Sequence, residues 1–350
     1  MSRPDGKLHI AIVGLRFGGC FPPIYVEHPD VSEVTICDTD ESTLKAYGDK
    51  YKISRRTMRV EDLLNSSDID AIHLVTPIPS HGALSAAVLK AGKHCACTVP
   101  MATAAEELYA IVELQQRTGL NYMMMETAAY TYHCLFAEEL IRKGELGRIQ
   151  FLRGAHYQDM ENWPSYWMGL PPMHYATHAV APLLKLANAR ATRVHCFGSG
   201  AMRPELHKLY GNPYPVETAI FQLEGESLAA EVTRTLFHTA VEYAEIFSVY
   251  GEKATFNWTL ENELPAVFRM APLQPHRGRP ITTEKVAPPS FRDRLPEPIL
   301  AELAPNRLQR PDLAADELVH PVELRLEVGV GGEVPAHQAS FRWATRGGWG

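Results

Sequence analysis

A short apolar run that stops at glycine constrains this chain more than any other feature. Residues 7–13 read Lys-Leu-His-Ile-Ala-Ile-Val, and Gly14 ends them. A run of this kind suits a parallel strand buried on both faces. The segment Gly14-Leu15-Arg16-Phe17-Gly18-Gly19 follows, then a stretch of helical character to about His28. A second apolar run, Val34-Thr-Ile-Cys, closes on Asp38, 24 residues after Gly14.

Strand, glycine loop, helix, strand and acid, in that order, match the fingerprint of a dinucleotide-binding βαβ unit. The full fingerprint would place glycine at 14, 16 and 19. Gly14 permits the tight turn out of the strand, and Gly19 permits close packing of helix on sheet. Arg16 occupies the middle position, where backbone approaches the pyrophosphate. Its side chain narrows that approach, but its guanidinium can itself meet a phosphate. Phe17 and Gly18 complete the loop, and the helix N-terminus is expected to supply N–H groups and partial positive charge. A carboxylate at Asp38 accepts from ribose hydroxyls and repels a 2′-phosphate, so NAD is expected rather than NADP. The alternative is a glycine-rich turn with a solvent-facing acid.

Further strands are expected at Ala71–Thr76, His94–Thr98 and near Asn121–Glu126, alternating with helices. That alternation predicts a doubly wound parallel sheet, a Rossmann domain over residues 1–125. After about residue 150 the pattern changes. Arg148–Gln158, Arg193–Gly198, Ala219–Leu223, Leu228–Phe237 and Ala244–Tyr250 alternate apolar and polar residues. They predict a large, mostly antiparallel open sheet in a second, α+β domain over 126–330. The Pro-rich stretch 271–321 is expected to be a long irregular excursion, and the Gly- and Arg-rich tail 331–350 to be poorly ordered.

Net charge is −7 over 350 residues and no long run of Lys or Arg occurs, which argues against nucleic acid and anionic membrane as partners. No stretch approaches the roughly 18 apolar residues of a membrane span. The N-terminus carries no secretory pattern. Cysteines at 20, 37, 95, 97, 134 and 196 show no metal-knuckle spacing. Reduced thiols in the cytoplasm, with no bound metal, are the simplest expectation.

His174, Tyr175 and His178 have spacings that would put them on one helix face. Packing against the second sheet, metal binding through His–x3–His and acid–base chemistry all remain open on that evidence. Glu126, after the last parallel strand, lies where open α/β sheets bind ligands, although it could cap a helix or pair with an arginine. The cluster from His156 to Trp167, which includes Trp163, mixes aromatic and polar groups as sugar sites do, or forms a hydrophobic lid. Arg234 and His238 share a strand face and are candidates to reach a pocket.

Two stretches carry a family resemblance. Val75-Thr76-Pro77-Ile78-Pro79-Ser80-His81, with Val88-Leu-Lys-Ala-Gly-Lys93-His94 after it, resembles the T-P-x-x-x-H … A-L-x-A-G-K-H signature of the Gfo/Idh/MocA oxidoreductases. Tyr243-x-Glu245-x-Phe247-x-Val249-x-Gly251-x-Lys253 resembles the family's sheet style. The resemblance implies NAD(P)-dependent redox chemistry at a sugar or cyclitol ring carbon. It implies cofactor contacts at Thr76, Pro77, His81 and Pro100. The family's E-K-P is here Thr98-Val99-Pro100, and valine cannot carry the lysine's proton. The branch of NAD-dependent α-N-acetylgalactosaminidases also has V-P there. Similarity to that branch implies catalytic roles for Glu126, Tyr175 and His178, with a weaker claim for Tyr130; His174, Trp163 and Arg234 are substrate candidates from the residue patterns above. A carbohydrate oxidoreductase, a redox-neutral glycosidase and a non-catalytic NAD-binding regulator are the functions to weigh. A homodimer or homotetramer is expected, formed through the open sheet face.

Overall fold

The computed structural model describes residues 6–291 except 226 and 276, together with Arg294. The tail 331–350 and most of 292–330 lie outside the described residues.

Six strands form the first sheet: β1 (Leu8–Val13), β2 (Val31–Cys37), β3 (Arg55–Thr57), β4 (Ala71–Leu74), β5 (His94–Thr98) and β6 (Tyr122–Met125). All are parallel, in the order β3-β2-β1-β4-β5-β6. This is the Rossmann order, and it reverses between β1 and β4. β1 is buried on both faces: Ala11 and Val13 join one core cluster and Ile12 the other. The helices of this region are α1 (Pro22–Glu27), α2 (Glu41–Lys50), α3 (Val60–Asn65), α4 (His81–Lys90) and α5 (Ala105–Thr118). Asp40 caps α2 through its side chain, and Gly119 ends α5 in the left-handed conformation.

The helix after the glycine loop is shorter than expected. Gly18–Cys20 forms a single 3-10 turn, and α1 begins only at Pro22. Pro22 and Pro23 fix φ for a helix start and cannot continue one from upstream.

The second sheet has eight strands: β7 (Ile149–Tyr157), β8 (Ala191–Ser199), β9 (Val216–Leu223), β10 (Ala229–Thr235), β11 (Ala244–Gly251), β12 (Ala254–Trp258), β13 (Ala266–Met270) and β14 (Ile281–Lys285). Their order is β14-β13-β12-β11-β7-β10-β9-β8. Every pair is antiparallel except β7 with β10. β14 corrects the expectation of irregular chain across 271–321. It pairs with β13 at the sheet edge, and all five of its residues are exposed, so it has no apolar alternation to announce it.

One face of this sheet is covered by α6 (Tyr132–Arg142) and α7 (Thr177–Ala187), whose apolar residues join those of β7, β9, β10 and β11 in the largest core cluster. α7 lies close on β7. A Cβ on Gly154 would stand 2.7 Å from the Ala179 carbonyl oxygen, so only glycine admits the helix at this depth. A short helix, α8 (His207–Tyr210), is the last among the described residues. No helix among the described residues is long and apolar enough to cross a membrane.

Candidate functional site

The glycine loop sits at the sheet's reversal point. Gly14 has φ +90°, and a Cβ there would lie 2.3 Å from the Val75 carbonyl oxygen. Gly18 abuts the Val75 side chain, and a Cβ on Gly19 would strike the Tyr47 ring at 2.2 Å. Gly19 therefore admits α2, as close packing requires. Arg16 is exposed on the loop and Phe17 is partly buried, edge-on to Phe21. The Asp38 carboxylate accepts from Leu15 N at 2.7 Å and from Asp40 N at 2.9 Å, which fixes it beside the loop with lone pairs to spare. These features fit a dinucleotide. One expectation is corrected: α1 opens on two prolines that lack N–H groups, so a pyrophosphate would meet amides of the loop and the 3-10 turn instead.

Thr76 and exposed Pro77 follow β4 beside Gly14, and buried Pro100 follows β5. His81 has both ring nitrogens engaged by backbone carbonyls. It is 1% exposed, and its ring nitrogens lie 2.7 Å from both the Thr76 and Pro100 carbonyls. It clamps the β4 and β5 loops together. Burial lowers its basicity, but Cys97 and the two carbonyls outweigh that and hold it near about 9.

Beyond β6, Glu126 enters a buried polar cluster. Its Oε1 accepts from Ala128 N at 2.8 Å and lies 2.7 Å from His178 Nδ1. Glu126 Oε2 and His178 Nε2 are buried and have no hydrogen-bond partner among the described residues. Burial draws the His178 imidazole down, yet the Glu126 and Glu245 carboxylates dominate and raise it to about 9.

The three-residue spacing is realised differently from a single helix. His174 and Tyr175 lie on a 3-10 turn (Pro172–Tyr175), Ala176 breaks the geometry, and His178 is in the first turn of α7. Tyr175 is fully buried, with ring contacts at 5.7 Å to His178, 5.5 Å to His156 and 5.3 Å to Trp167. His174 is only partly buried. Trp163 packs edge-on to Trp167 at 5.6 Å, one ring removed from Tyr175. Tyr130 is 45% exposed beneath the Lys185 ammonium and is not part of the cluster. Arg234 is corrected from a substrate candidate to a support. It is fully buried, and it donates to the carbonyls of Tyr175, His156 and Thr235 and to Gln158 Oε1.

Sheet register joins residues that the motifs left separate and adds Glu217 to them. Glu245, His156, Arg234 and Glu217 are direct neighbours across β11, β7, β10 and β9, and form one transverse row. His156 Nε2 lies 4.0 Å from Glu245, whose Oε1 accepts from the Tyr243 hydroxyl. Glu217 accepts from Met173 N at 2.6 Å, and so anchors the turn that carries Tyr175. A histidine at a core-facing position of β7, after Leu152 and Gly154, was the available signal for this row.

A different acidic group, His9, Glu33 and Asp68, converges elsewhere, but Arg55 already donates to both carboxylates.

Residues 8–126 match the oxidoreductase family with NAD-binding Rossmann fold, GFO_IDH_MocA. This segment is a Gfo/Idh/MocA domain. Relatives of the chain include glycosyl hydrolase family 109 proteins. One from Shewanella baltica is 27% identical over 44% of this chain and 38% of its own length. One from Porphyromonas gingivalis is 27% identical over 51% of this chain and 42% of its own. The chain thus spans about two fifths of the relatives it matches. Among solved structures, levoglucosan dehydrogenase in complex with NADH and levoglucosan aligns with TM-score 0.67 at 20% identity over 81% of both chains. The myo-inositol 2-dehydrogenase of Lactobacillus plantarum aligns with TM-score 0.65 at 18% identity, over 85% of this chain and 87% of its own. These structures share their fold with this chain.

Proposed function

We propose that the chain is an NAD-dependent oxidoreductase acting on a ring hydroxyl of a sugar or glycoside, with Glu126, His178 and Tyr175 in place of the family's lysine. The observation that carries this reading is the buried Glu126–His178 pair, with His178 Nε2 left for a substrate oxygen. Residues to about 125 hold the cofactor, and residues 126–330 hold the substrate and make subunit contacts.

The cofactor is held by the loop Gly14–Gly19, by Thr76, Pro77 and Pro100, and by Asp38 at the ribose. Held there, a nicotinamide dinucleotide would supply a hydride acceptor for a substrate carbon and, in a redox-neutral cycle, the hydride donor for its return. Proton movement belongs to the protein. Tyr175 accepts the proton of the hydroxyl being oxidised, while His178, kept protonated by Glu126, donates a hydrogen bond from Nε2 to that oxygen and, in a redox-neutral cycle, its proton to the departing glycosidic oxygen. Burial around the pair excludes water and strengthens these electrostatics.

Redox-neutral cleavage of a glycoside is the second reading. Val99, 1% exposed directly after β5, favours it, because a route without lysine is needed. The names of the glycosyl hydrolase family 109 relatives point the same way. A non-catalytic NAD-binding regulator is the third, and the buried acid–base pair speaks against it. A panel of sugars and glycosides incubated with added NAD separates them. NADH accumulation marks oxidation, and aglycone release without net NADH marks the neutral cycle. Cofactor binding without either marks a regulator.

The six cysteines are all free, which supports a reducing, cytoplasmic setting. The uncovered face of the second sheet exposes Phe197 (74%) and Ile220 (42%), and supports pairing with another copy as a homodimer or homotetramer.

A further inference from the structure

Arg234 is the largest fully buried side chain among the described residues, and it lies against the Tyr175 ring. Its Nε donates to the Tyr175 carbonyl at 2.8 Å, and its guanidinium carbon is 4.6 Å from the centre of the Tyr175 ring. Nη1 donates to the His156 carbonyl at 3.0 Å, and Nη2 to Gln158 Oε1 at 2.7 Å. One side chain therefore fixes the backbone of Tyr175 and faces its ring with a permanent positive charge.

Burial alone disfavours an ionised phenol. Tyr25 illustrates this within the same chain: with its hydroxyl against His73, burial pushes it up to about 12. A guanidinium over the ring opposes that preference. A phenolate ring is a better cation–π partner than a phenol, and Coulomb attraction is strong where water is excluded.

We propose that Arg234 is a positioning residue for the reaction, holding Tyr175 in place and keeping its phenol ionisable so that it can take the substrate's proton. The inference rests on the function proposed above. The step it serves is a single proton transfer from the substrate hydroxyl to the Tyr175 oxygen, which leaves neutral tyrosine. Other charged groups lie close by. The His178 and His156 rings contact Tyr175 and act with Arg234 when protonated. The carboxylates one contact further out, Glu126 on His178, Glu245 beside His156 and Glu217 next to Arg234 in the sheet, act against it. Unlike the two histidines, Arg234 keeps its charge at every working pH.

The test uses the full chain with 13C at the tyrosine Cζ, Tyr175 being assigned by its loss in Tyr175→Phe. In the wild type, the Tyr175 signal should convert to phenolate below the ordinary tyrosine value of about 10 and well before Tyr25. In folded Arg234→Met the midpoint should rise by about one pH unit or more, a tenfold change in ionisation. Arg234→Lys should restore most of the shift. Conversion of wild-type Tyr175 together with Tyr25 overturns the assignment, and needs no variant if Arg234→Met fails to fold. An unchanged midpoint in folded Arg234→Met overturns it too. The titration requires no turnover. A lowered Tyr175 in a protein that turns over no carbohydrate supports the Arg234 assignment and counts only against the proposed function.

Discussion

His178 Nδ1 lies 2.7 Å from Glu126 Oε1, and the two residues are 2% and 1% exposed. The contact links α7, which packs on the second sheet, to the mouth of β6 in the first. Isolated buried charges are costly, and a carboxylate–imidazolium pair is tolerated because each satisfies the other. The pair therefore holds a proton where the two sheets meet, at the end of the parallel strands.

Asp38 sets the first prediction. Its carboxylate is anchored by two backbone N–H groups beside the glycine loop. NAD should bind more tightly than NADP, and Asp38→Ala should narrow the gap. Titration of both cofactors by intrinsic fluorescence checks this. Tighter NADP binding by the wild type would remove the basis for choosing NAD.

Val99 sets the second. If protons move through His178 and Tyr175, Val99→Lys should leave turnover on the best substrate no higher than wild type. A large gain would mean that position 99 is a damaged copy of the lysine site. Because Val99 is buried, its melting temperature should be recorded alongside.

The third concerns pH. His81 and His178 both have folded-state values raised to about 9. In the unfolded chain histidine titrates near about 6.5. The folded protein therefore holds protons that the unfolded chain has released, and the stability they contribute is complete below about pH 6.5 and is lost as pH rises through about 9. Melting temperature should fall across that window. His81→Leu should make the fall shallower, since one of the two groups is gone. A melting temperature flat from pH 6 to about 10 would show that neither imidazole is held protonated.

Local features of the sequence were sufficient for part of this architecture. β1, Gly14, Asp38 and Glu126 belong to short contiguous patterns whose physics is local. α1 and the Tyr175–His178 segment are less regular than their spacing predicts, because Pro22-Pro23 and the break at Ala176 are decided by turn geometry. The row Glu245, His156, Arg234 and Glu217 could not be read at all before the register was known. Its members come from four strands, and β7 and β10 pair in parallel across some 70 intervening residues. The edge strand β14 escaped notice because none of its residues is buried.

The account turns on His178, and three quantities measured on His178→Ala test it most directly: turnover on the best carbohydrate from the panel, NAD affinity and melting temperature. The account predicts a loss of at least ~10²-fold in turnover, the scale of general acid–base catalysis, with NAD affinity nearly unchanged. Glu126→Gln should lower turnover in the same direction while keeping the hydrogen bond to Ala128. Turnover per folded molecule that stays intact, with stability lowered by roughly 1–3 kcal/mol from the partner left buried and unpaired, would contradict it and make His178 a structural residue.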